Sequence, residues 1–149
     1  MQVKELGHAV LYVRDLAASC KFYGELLGWR EVGRYGDAAA VFSAGQRTHH
    51  ELLLIQVAHD PAPIPTGPRV GLYHLGLKIG ESDDELCAAL AEVRAADVPI
   101  VGMSDHGVTH SLYIRDPDGN EIELYIDVLP AVWREQPLAS MMTTRPLRL

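Results

Sequence analysis

The strongest constraint on the fold is an order of sequence patterns that occurs twice along the chain. In the first half, an apolar, strand-like run begins at His8 and ends at Asp15, a residue type that caps helices. Apolar residues then recur at helical spacing over residues 16–29. Three short β-rich segments follow, at residues 29–32, 39–42 and 50–57. The first half therefore predicts one strand, one helix and three further strands.

The second half follows the same order. A strand-like run begins at His74, and Ser82 with Glu85 three residues later forms a capping-box pattern. A helix is predicted over residues 84–96. Three β-rich segments again follow, at residues 100–101, 111–114 and 121–126. The chain therefore reads as two copies of one strand-helix-three-strand unit, which makes the fold class α+β.

Corresponding positions of the two halves carry ionisable residues. The last strand of each half contains a Glu-Leu pair, so the repeat pairs His8 with His74 and Glu51 with Glu123. This pairing predicts a site near a pseudo-twofold axis. His8, His74 and Glu123 each lie in an apolar, strand-like stretch, where an ionisable side chain is costly unless it has a partner. Two histidines and one carboxylate suit an iron(II) centre.

The boundaries of the two modules follow from composition. Module one covers about residues 4–57 and module two about residues 71–128 of a single domain spanning 1–149. Between the modules, residues 58–70 are rich in Pro and Gly, which predicts an exposed linker. In the tail, residues 129–149, three prolines predict that no regular element forms. Apolar tail residues are expected to pack on the domain, namely Val132, Trp133, Leu138, Met141 and Met142.

Charge and cysteine content narrow the classes of function. The formal net charge is −7 without a Lys/Arg cluster, which argues against nucleic acid or an anionic membrane as partner and favours a small organic substrate. Cys20 and Cys87 form neither a CxxC metal motif nor a disulfide framework, which predicts a reduced, cytoplasmic setting. The chain has no signal-peptide pattern and no apolar run of membrane-spanning length, so we expect a soluble, unprocessed protein.

The strand-helix-three-strand repeat, with His near the start of each half and Glu on the last strand, resembles the vicinal oxygen chelate superfamily over residues 4–128. The stretch DHGVTHSLYIRDPDGNEIELY is similar to the signature of type I extradiol ring-cleavage dioxygenases. The matching positions are His106, Leu112, Tyr113, Asp116, Pro117, Gly119 and Glu123. The resemblance implies two tandem βαβββ modules that form a curved mixed sheet around a metal-binding cleft.

The resemblance also implies the chemistry. It assigns iron(II) to His8, His74 and Glu123, with manganese, nickel or zinc as alternative metals. A facial triad leaves three octahedral positions open, enough for two oxygens of a catechol and one dioxygen. The residues that act on substrate and oxygen would be His50, His106 and Tyr113. The expected partners are a small aromatic diol and O2, and a homo-oligomer is compatible with the sequence although no feature predicts one.

Several residues have competing interpretations. His49 is the alternative to His50 if the register shifts by one residue, and otherwise His49 and His110 are expected to be structural or exposed. Glu121, closer to the turn, is a weaker metal-ligand candidate than Glu123. Residues 116–119 predict a tight turn that aims Glu123 rather than reacting.

Two other functions stay open on the same fold. A glyoxalase I-like lyase or isomerase would bind nickel or zinc through four ligands, with Glu51 joining His8, His74 and Glu123. A fourth protein ligand would fill a position that catechol or oxygen needs, so metal coordination separates the two enzymes. A metal-free antibiotic-binding resistance protein would use the cleft without these ligands.

Overall fold

The computed structural model describes residues 1–57, 60–135 and 144–149, apart from the side chain of residue 133. The chain divides into two compact units, Met1–Ile64 and Pro65–Leu149. Each unit contains a strand, a helix and three further strands in that order, with a mixed sheet of its own. The predicted α+β fold of two tandem βαβββ modules is confirmed.

The sheet of the first unit has the strand order β1-β4-β3-β2. Strand β1 runs parallel to β4, and the other neighbours are antiparallel. The helix α1 continues directly into a π-helical segment, and both follow β1 and precede β2 along the chain. The elements are β1 (Ala9–Val13), α1 (Leu16–Cys20), the π-helix (Lys21–Leu26), β2 (Arg30–Tyr35), β3 (Ala39–Ser43) and β4 (Leu52–Gln56).

The first helix is capped as its sequence predicts but ends early. The Oδ1 atom of Asp15 accepts a hydrogen bond from the Ala18 backbone N–H at 3.0 Å. The helical stretch ends at Leu26 rather than at residue 29, because Gly28 has a φ of 71° and turns the chain out of the helix. Tyr23, 1% exposed, belongs to the buried core of this unit.

The sheet of the second unit has the strand order β5-β8-β7-β6-β9. Strand β5 runs parallel to β8, and the other pairs are antiparallel. The elements are β5 (His74–Gly80), α2 (Asp83–Ala95), β6 (Ile100–Asp105), β7 (Thr109–Arg115), β8 (Glu121–Asp127), α3 (Pro130–Glu135) and β9 (Arg145–Pro146).

Helix α2 begins with the predicted capping residues. The Ser82 hydroxyl donates to Glu85 Oε2 at 2.8 Å, and the Glu85 backbone N–H donates to Ser82 Oγ at 3.4 Å. Glu85 Oε2 also accepts from the Glu81 backbone N–H at 2.8 Å, so the Glu85 carboxylate binds two donors at the N-terminus of the helix. Leu86 and Leu90 face the core, at 0% and 4% exposure.

The tail differs from the prediction. Residues Pro130–Glu135 form the short helix α3, although the prolines predicted no regular element. Pro130 stands at the first helical position, where its missing N–H has no intrahelical partner to lose. Of the apolar tail residues, Leu138, Met141 and Met142 lie outside the described residues.

The predicted linker contains no regular element in its described part. Residues 58 and 59 lie outside the described residues, and residues 60–70 contain neither helix nor strand, as their proline content predicts.

None of the helices in the described parts of the chain combines the length and apolar character that a membrane span needs.

The strand register corrects one predicted correspondence between the halves. In the second unit, His74 pairs with Glu121 across the parallel strands. In the first unit, Ala9 pairs with Leu52, so the same parallel register places the preceding residues His8 and Glu51 opposite each other. Glu51 is therefore the counterpart of Glu121, and the predicted pairing of Glu51 with Glu123 is wrong by two residues.

Candidate metal and catalytic site

Glu123 has one carboxylate oxygen held by hydroxyl groups and the other directed at an imidazole. Its Oε1 atom accepts hydrogen bonds from the Ser111 hydroxyl at 2.7 Å and from the Tyr113 hydroxyl at 2.9 Å. Its Oε2 atom lies 3.2 Å from His74 Nε2. The carboxylate is thus oriented by its neighbours, which leaves Oε2 beside a second potential metal donor.

The His74 ring has two different surroundings. Its Nε2 atom faces Glu123, whereas its Nδ1 atom is buried and has no hydrogen-bond partner among the described residues. The Oε1 atom of Glu121 lies 3.9 Å from that Nδ1 atom, beyond hydrogen-bonding distance. His74 therefore presents Nε2 toward the carboxylate of Glu123 and leaves a buried polar atom unsatisfied behind it.

A glycine makes room for this carboxylate. Gly76 stands opposite Glu123 in the parallel register of β5 and β8. A Cβ atom at Gly76 would lie only 3.2 Å from Glu123 Oε2 and 3.6 Å from Tyr125 Cε1. The absence of a side chain at residue 76 thus permits the observed position of the Glu123 carboxylate.

A hydrogen-bonded chain runs from Glu123 to His106. The single hydroxyl proton of Tyr113 is donated to Glu123, so the contact of 2.8 Å between Tyr113 Oη and His106 Nε2 requires His106 to donate. His106 Nδ1 then accepts from the Thr144 hydroxyl at 3.2 Å. Burial, followed by the hydrogen bond and charge of Glu123, raises the pKa of Tyr113. Tyr113 is therefore a protonated hydrogen-bond donor at neutral pH.

Three histidines cluster in the first unit. The ring centroids of His8 and His50 are 4.5 Å apart, those of His8 and His49 are 6.1 Å apart, and the Nδ1 atoms of His49 and His50 are in contact. Partial burial, followed by the charges of His49 and His8, lowers the pKa of His50. The Thr48 hydroxyl donates to the His50 carbonyl oxygen at 2.6 Å, which fixes the backbone just before β4.

Glu51 is occupied by its own turn. Its carboxylate accepts from the Ser43 hydroxyl, from the Ala44 backbone N–H at 3.1 Å and from the Arg47 backbone N–H at 3.3 Å. These donors, the Ser43 hydroxyl first, lower the pKa of Glu51. The carboxylate thus has a structural role in closing the connection between β3 and β4.

The predicted residues fall into two groups. His8 and His50 lie in the first unit, and the second unit brings four predicted residues into contact, namely His74, His106, Tyr113 and Glu123. Within residues 1–57, 60–135 and 144–149, no three His, Cys, Asp or Glu side chains are arranged to hold a metal ion. The three-residue triad, which takes ligands from both units, therefore stays a prediction. The adjacent imidazole nitrogen and carboxylate oxygen of the second unit are nevertheless donor types that fit iron(II) or manganese(II).

Ser111 was missed by the sequence interpretation. It is fully buried and lies two residues before Tyr113, so both side chains stand on the same face of β7. Both donate to the same oxygen of Glu123. The period-two spacing of Ser111 and Tyr113 predicts that they share a face of the strand, but it does not by itself predict the contact of Ser111 with Glu123.

A family model matches residues 5–124, and its description is the Glyoxalase/Bleomycin resistance protein/Dioxygenase superfamily. The chain belongs to this superfamily. The predicted relationship to the vicinal oxygen chelate proteins is thereby confirmed.

The curated proteins that are similar to this chain are named for different enzymatic activities. A catechol-2,3-dioxygenase of Bacillus subtilis is 32% identical over 140 residues, which covers 93% of this chain and 47% of that protein. A biphenyl-2,3-diol 1,2-dioxygenase 3 of Rhodococcus globerulus is 34% identical over 125 residues, which covers 82% and 63% respectively. A glutathione transferase FosA of Serratia marcescens is 29% identical over 146 residues, which covers 95% and 96%. The chain thus spans about half to two thirds of the length of the two dioxygenases.

A solved structure has the same fold. The glyoxalase/dioxygenase from Nostoc punctiforme superposes with a TM-score of 0.71 at 24% identity, covering 83% of this chain and 91% of that chain. This similarity supports the fold and carries no argument about the reaction.

Proposed function

We propose that this protein is an extradiol dioxygenase that cleaves the ring of a catechol-type substrate with O2 at a mononuclear iron(II) centre. The observation that carries the proposal is the hydrogen-bonded chain from His106 through Tyr113 to Glu123, with His74 beside the free oxygen of that carboxylate. Relatives named as catechol and biphenyl-diol dioxygenases support it, and two further relatives are named for iron or manganese dependence.

The metal would be held by His8, His74 and Glu123. When bound, iron(II) supplies the redox centre at which the electrons of a catechol become available to dioxygen. Glu123 is kept in position by the Ser111 and Tyr113 hydroxyls, which both donate to its Oε1 atom, and its Oε2 atom lies beside His74 Nε2. The product would be a ring-opened hydroxy-dienal or hydroxy-dienone acid that contains both oxygen atoms of O2.

Three side chains would act on the reactants. Tyr113 keeps its proton because its pKa is raised, and His106 has its Nε2–H directed at Tyr113. Both protons are engaged in the chain to Glu123, so Tyr113 or His106 would donate to a substrate oxygen by exchanging its present acceptor for that oxygen. His50, beside His8, is the proposed base that exchanges a proton with the substrate. These roles rest on the resemblance together with the contacts described above.

Oxygen consumption tests the proposal. Protein purified without oxygen and loaded with iron(II) is expected to consume O2 and form a yellow product from at least one member of a panel of monocyclic and bicyclic catechols. His74→Ala is expected to lose iron and activity, whereas His110→Ala, which removes an imidazole paired with Asp83 away from Glu123, keeps both. Iron-loaded protein that turns over none of the catechols would overturn the proposal.

Metal binding by Glu51 distinguishes the glyoxalase I-like lyase from the dioxygenase, because only the lyase would use Glu51 as a fourth ligand. Both carboxylate oxygens of Glu51 already accept hydrogen bonds from the turn after β3, which supports a structural rather than a metal-binding role. Glu51→Ala is therefore expected to retain iron. Loss of iron in this variant, with circular dichroism unchanged, would favour the four-ligand lyase. Wild-type protein that binds an aromatic antibiotic but no metal would favour the resistance protein.

A further inference from the structure

We propose that Glu121 is a positioning residue that holds the His74 ring for metal binding, an inference that rests on the proposed metal centre. The starting observation is the buried Nδ1 atom of His74, which has no hydrogen-bond partner among the described residues. Buried polar groups without a partner are uncommon, and each one calls for an explanation. The carboxylate 3.9 Å away on Glu121 provides one.

The requirement arises from the chemistry of imidazole. When Nε2 of a neutral histidine binds a metal, the other ring nitrogen carries the proton. Metal-bound histidines commonly donate that N–H to a carboxylate or carbonyl oxygen, which fixes the ring. His74 directs Nε2 at Glu123, so Nε2 is the nitrogen that would bind the metal, and in that state Nδ1 carries the proton and needs an acceptor. Closing the distance from Glu121 Oε1 to hydrogen-bonding range takes a movement of about 1 Å.

Glu121 is itself held in place. Its side chain is only 8% exposed, and its Oε2 atom lies 3.7 Å from Arg115 Nη2. The Tyr73 hydroxyl also hydrogen-bonds to this carboxylate, whose charge and bond raise the pKa of Tyr73. Arg115 occupies the side of Oε2, so Oε1 is the oxygen that faces the His74 ring.

The strand geometry explains why one ring meets two carboxylates. Glu121 and Glu123 are two residues apart on β8, so their side chains stand on the same face of the sheet. His74 pairs with Glu121 in the register and leans along the strand far enough for Nε2 to approach Glu123. In this proposal, the carboxylate of Glu121 therefore supports the His74 ring, and the carboxylate of Glu123 binds the same metal as His74.

Metal affinity tests this role without any substrate. Mn(II) binding to the full chain is measured by titration calorimetry for wild type, Glu121→Gln, Glu121→Ala and the matched control Glu92→Gln, which removes an exposed carboxylate on α2. We expect Glu121→Ala to bind about 10- to 100-fold more weakly. Glu121→Gln keeps a carbonyl acceptor and is expected to fall between Glu121→Ala and wild type, whereas Glu92→Gln stays within about twofold of wild type.

A spectroscopic measurement separates positioning from general stability. In Zn(II)-loaded protein with ¹⁵N-labelled histidine, the Nδ1–H signal of His74 is expected far downfield in wild type and shifted in Glu121→Gln. Wild-type affinity together with an unmoved signal in the folded Glu121 variants would overturn the inference. Wild-type protein that binds no metal would overturn the inference and the iron centre together. Protein that binds metal but cleaves no catechol would count against the proposed reaction alone.

Discussion

At the scale of single residues, the spacing of side chains along strands decides what meets Glu123. Tyr113 and His106 were predicted through the resemblance, and the structure places them in one hydrogen-bonded chain with that carboxylate. Ser111 was missed because a serine in an apolar strand has no chemistry that stands out in a sequence. Its role is visible only once β7 and β8 are paired.

Replacing Tyr113 tests the chain of hydrogen bonds. Tyr113→Phe removes a donor to Glu123 and the acceptor of His106, so oxygen consumption with a catechol is expected to fall about tenfold or more, since a hydrogen bond to a charged group contributes about 1.5–3 kcal/mol. Iron content is expected to stay near that of wild type. Tyr35→Phe, on an exposed strand of the first unit, is the control. Equal activity of the two variants would contradict this role.

Replacing Gly76 tests the space beside Glu123. The added methyl of Gly76→Ala would lie 3.2 Å from Glu123 Oε2 and must displace that carboxylate, so Mn(II) affinity is expected to fall severalfold. Gly102→Ala is the matched control, because a Cβ atom there meets nothing within 4 Å. Calorimetric titration of both variants gives the comparison, and equal affinities would mean that the carboxylate position is unimportant for binding.

At the scale of elements, local signals predicted the start of α2 more closely than the length of β6. Helix α2 begins one residue before the predicted start, because Ser82 and Glu85 form the expected cap. Strand β6 extends over six residues where the apolar pattern predicted two, because its hydrogen bonds to β7 stabilise polar residues that no strand pattern marks. Pairing, rather than local preference, sets strand length.

The connection between β3 and β4 predicts a pH effect. The Ser43 hydroxyl first, and then the backbone amides of Ala44 and Arg47, lower the pKa of Glu51 below its ordinary value of 4.5. The stabilisation is therefore complete above about pH 4.5 and is lost as the pH falls through the folded-state pKa. Glu51→Gln is expected to lower the free energy of unfolding at pH 7 and to flatten its decline below pH 4.5.

Urea unfolding between pH 3 and pH 7 measures this effect. Glu92→Gln on the exposed surface of α2 serves as the control and is expected to retain the wild-type pH dependence. A wild-type slope in Glu51→Gln would show that this carboxylate does not contribute.

At the scale of the whole molecule, the chain builds two units from one repeated order of elements. The repeat and the family match agree on the architecture, and the family contains proteins with different reactions. The proposed triad takes His8 from the first unit and His74 and Glu123 from the second. Metal binding should therefore depend on residues from both units.

Thermal unfolding with metal tests this dependence. A metal that binds only the folded protein stabilises it by about 2.7 kcal/mol at a concentration 100 times its Kd, so Mn(II) is expected to raise the Tm of wild type. His8→Ala and His74→Ala are each expected to abolish the rise, whereas His110→Ala retains it. A rise that survives in His8→Ala would remove that residue from the metal centre.

The sequence by itself determined the order of elements, the caps of α1 and α2, and the residue types of an iron-type site, because each depends on spacing within a short segment. Only the tertiary structure decided which carboxylates correspond between the halves. A parallel register is set by hydrogen bonds between strands distant in sequence, so Glu51 is the counterpart of Glu121 and not of Glu123. The same register places the buried Nδ1 atom of His74 near Glu121, a relation that no local pattern contains.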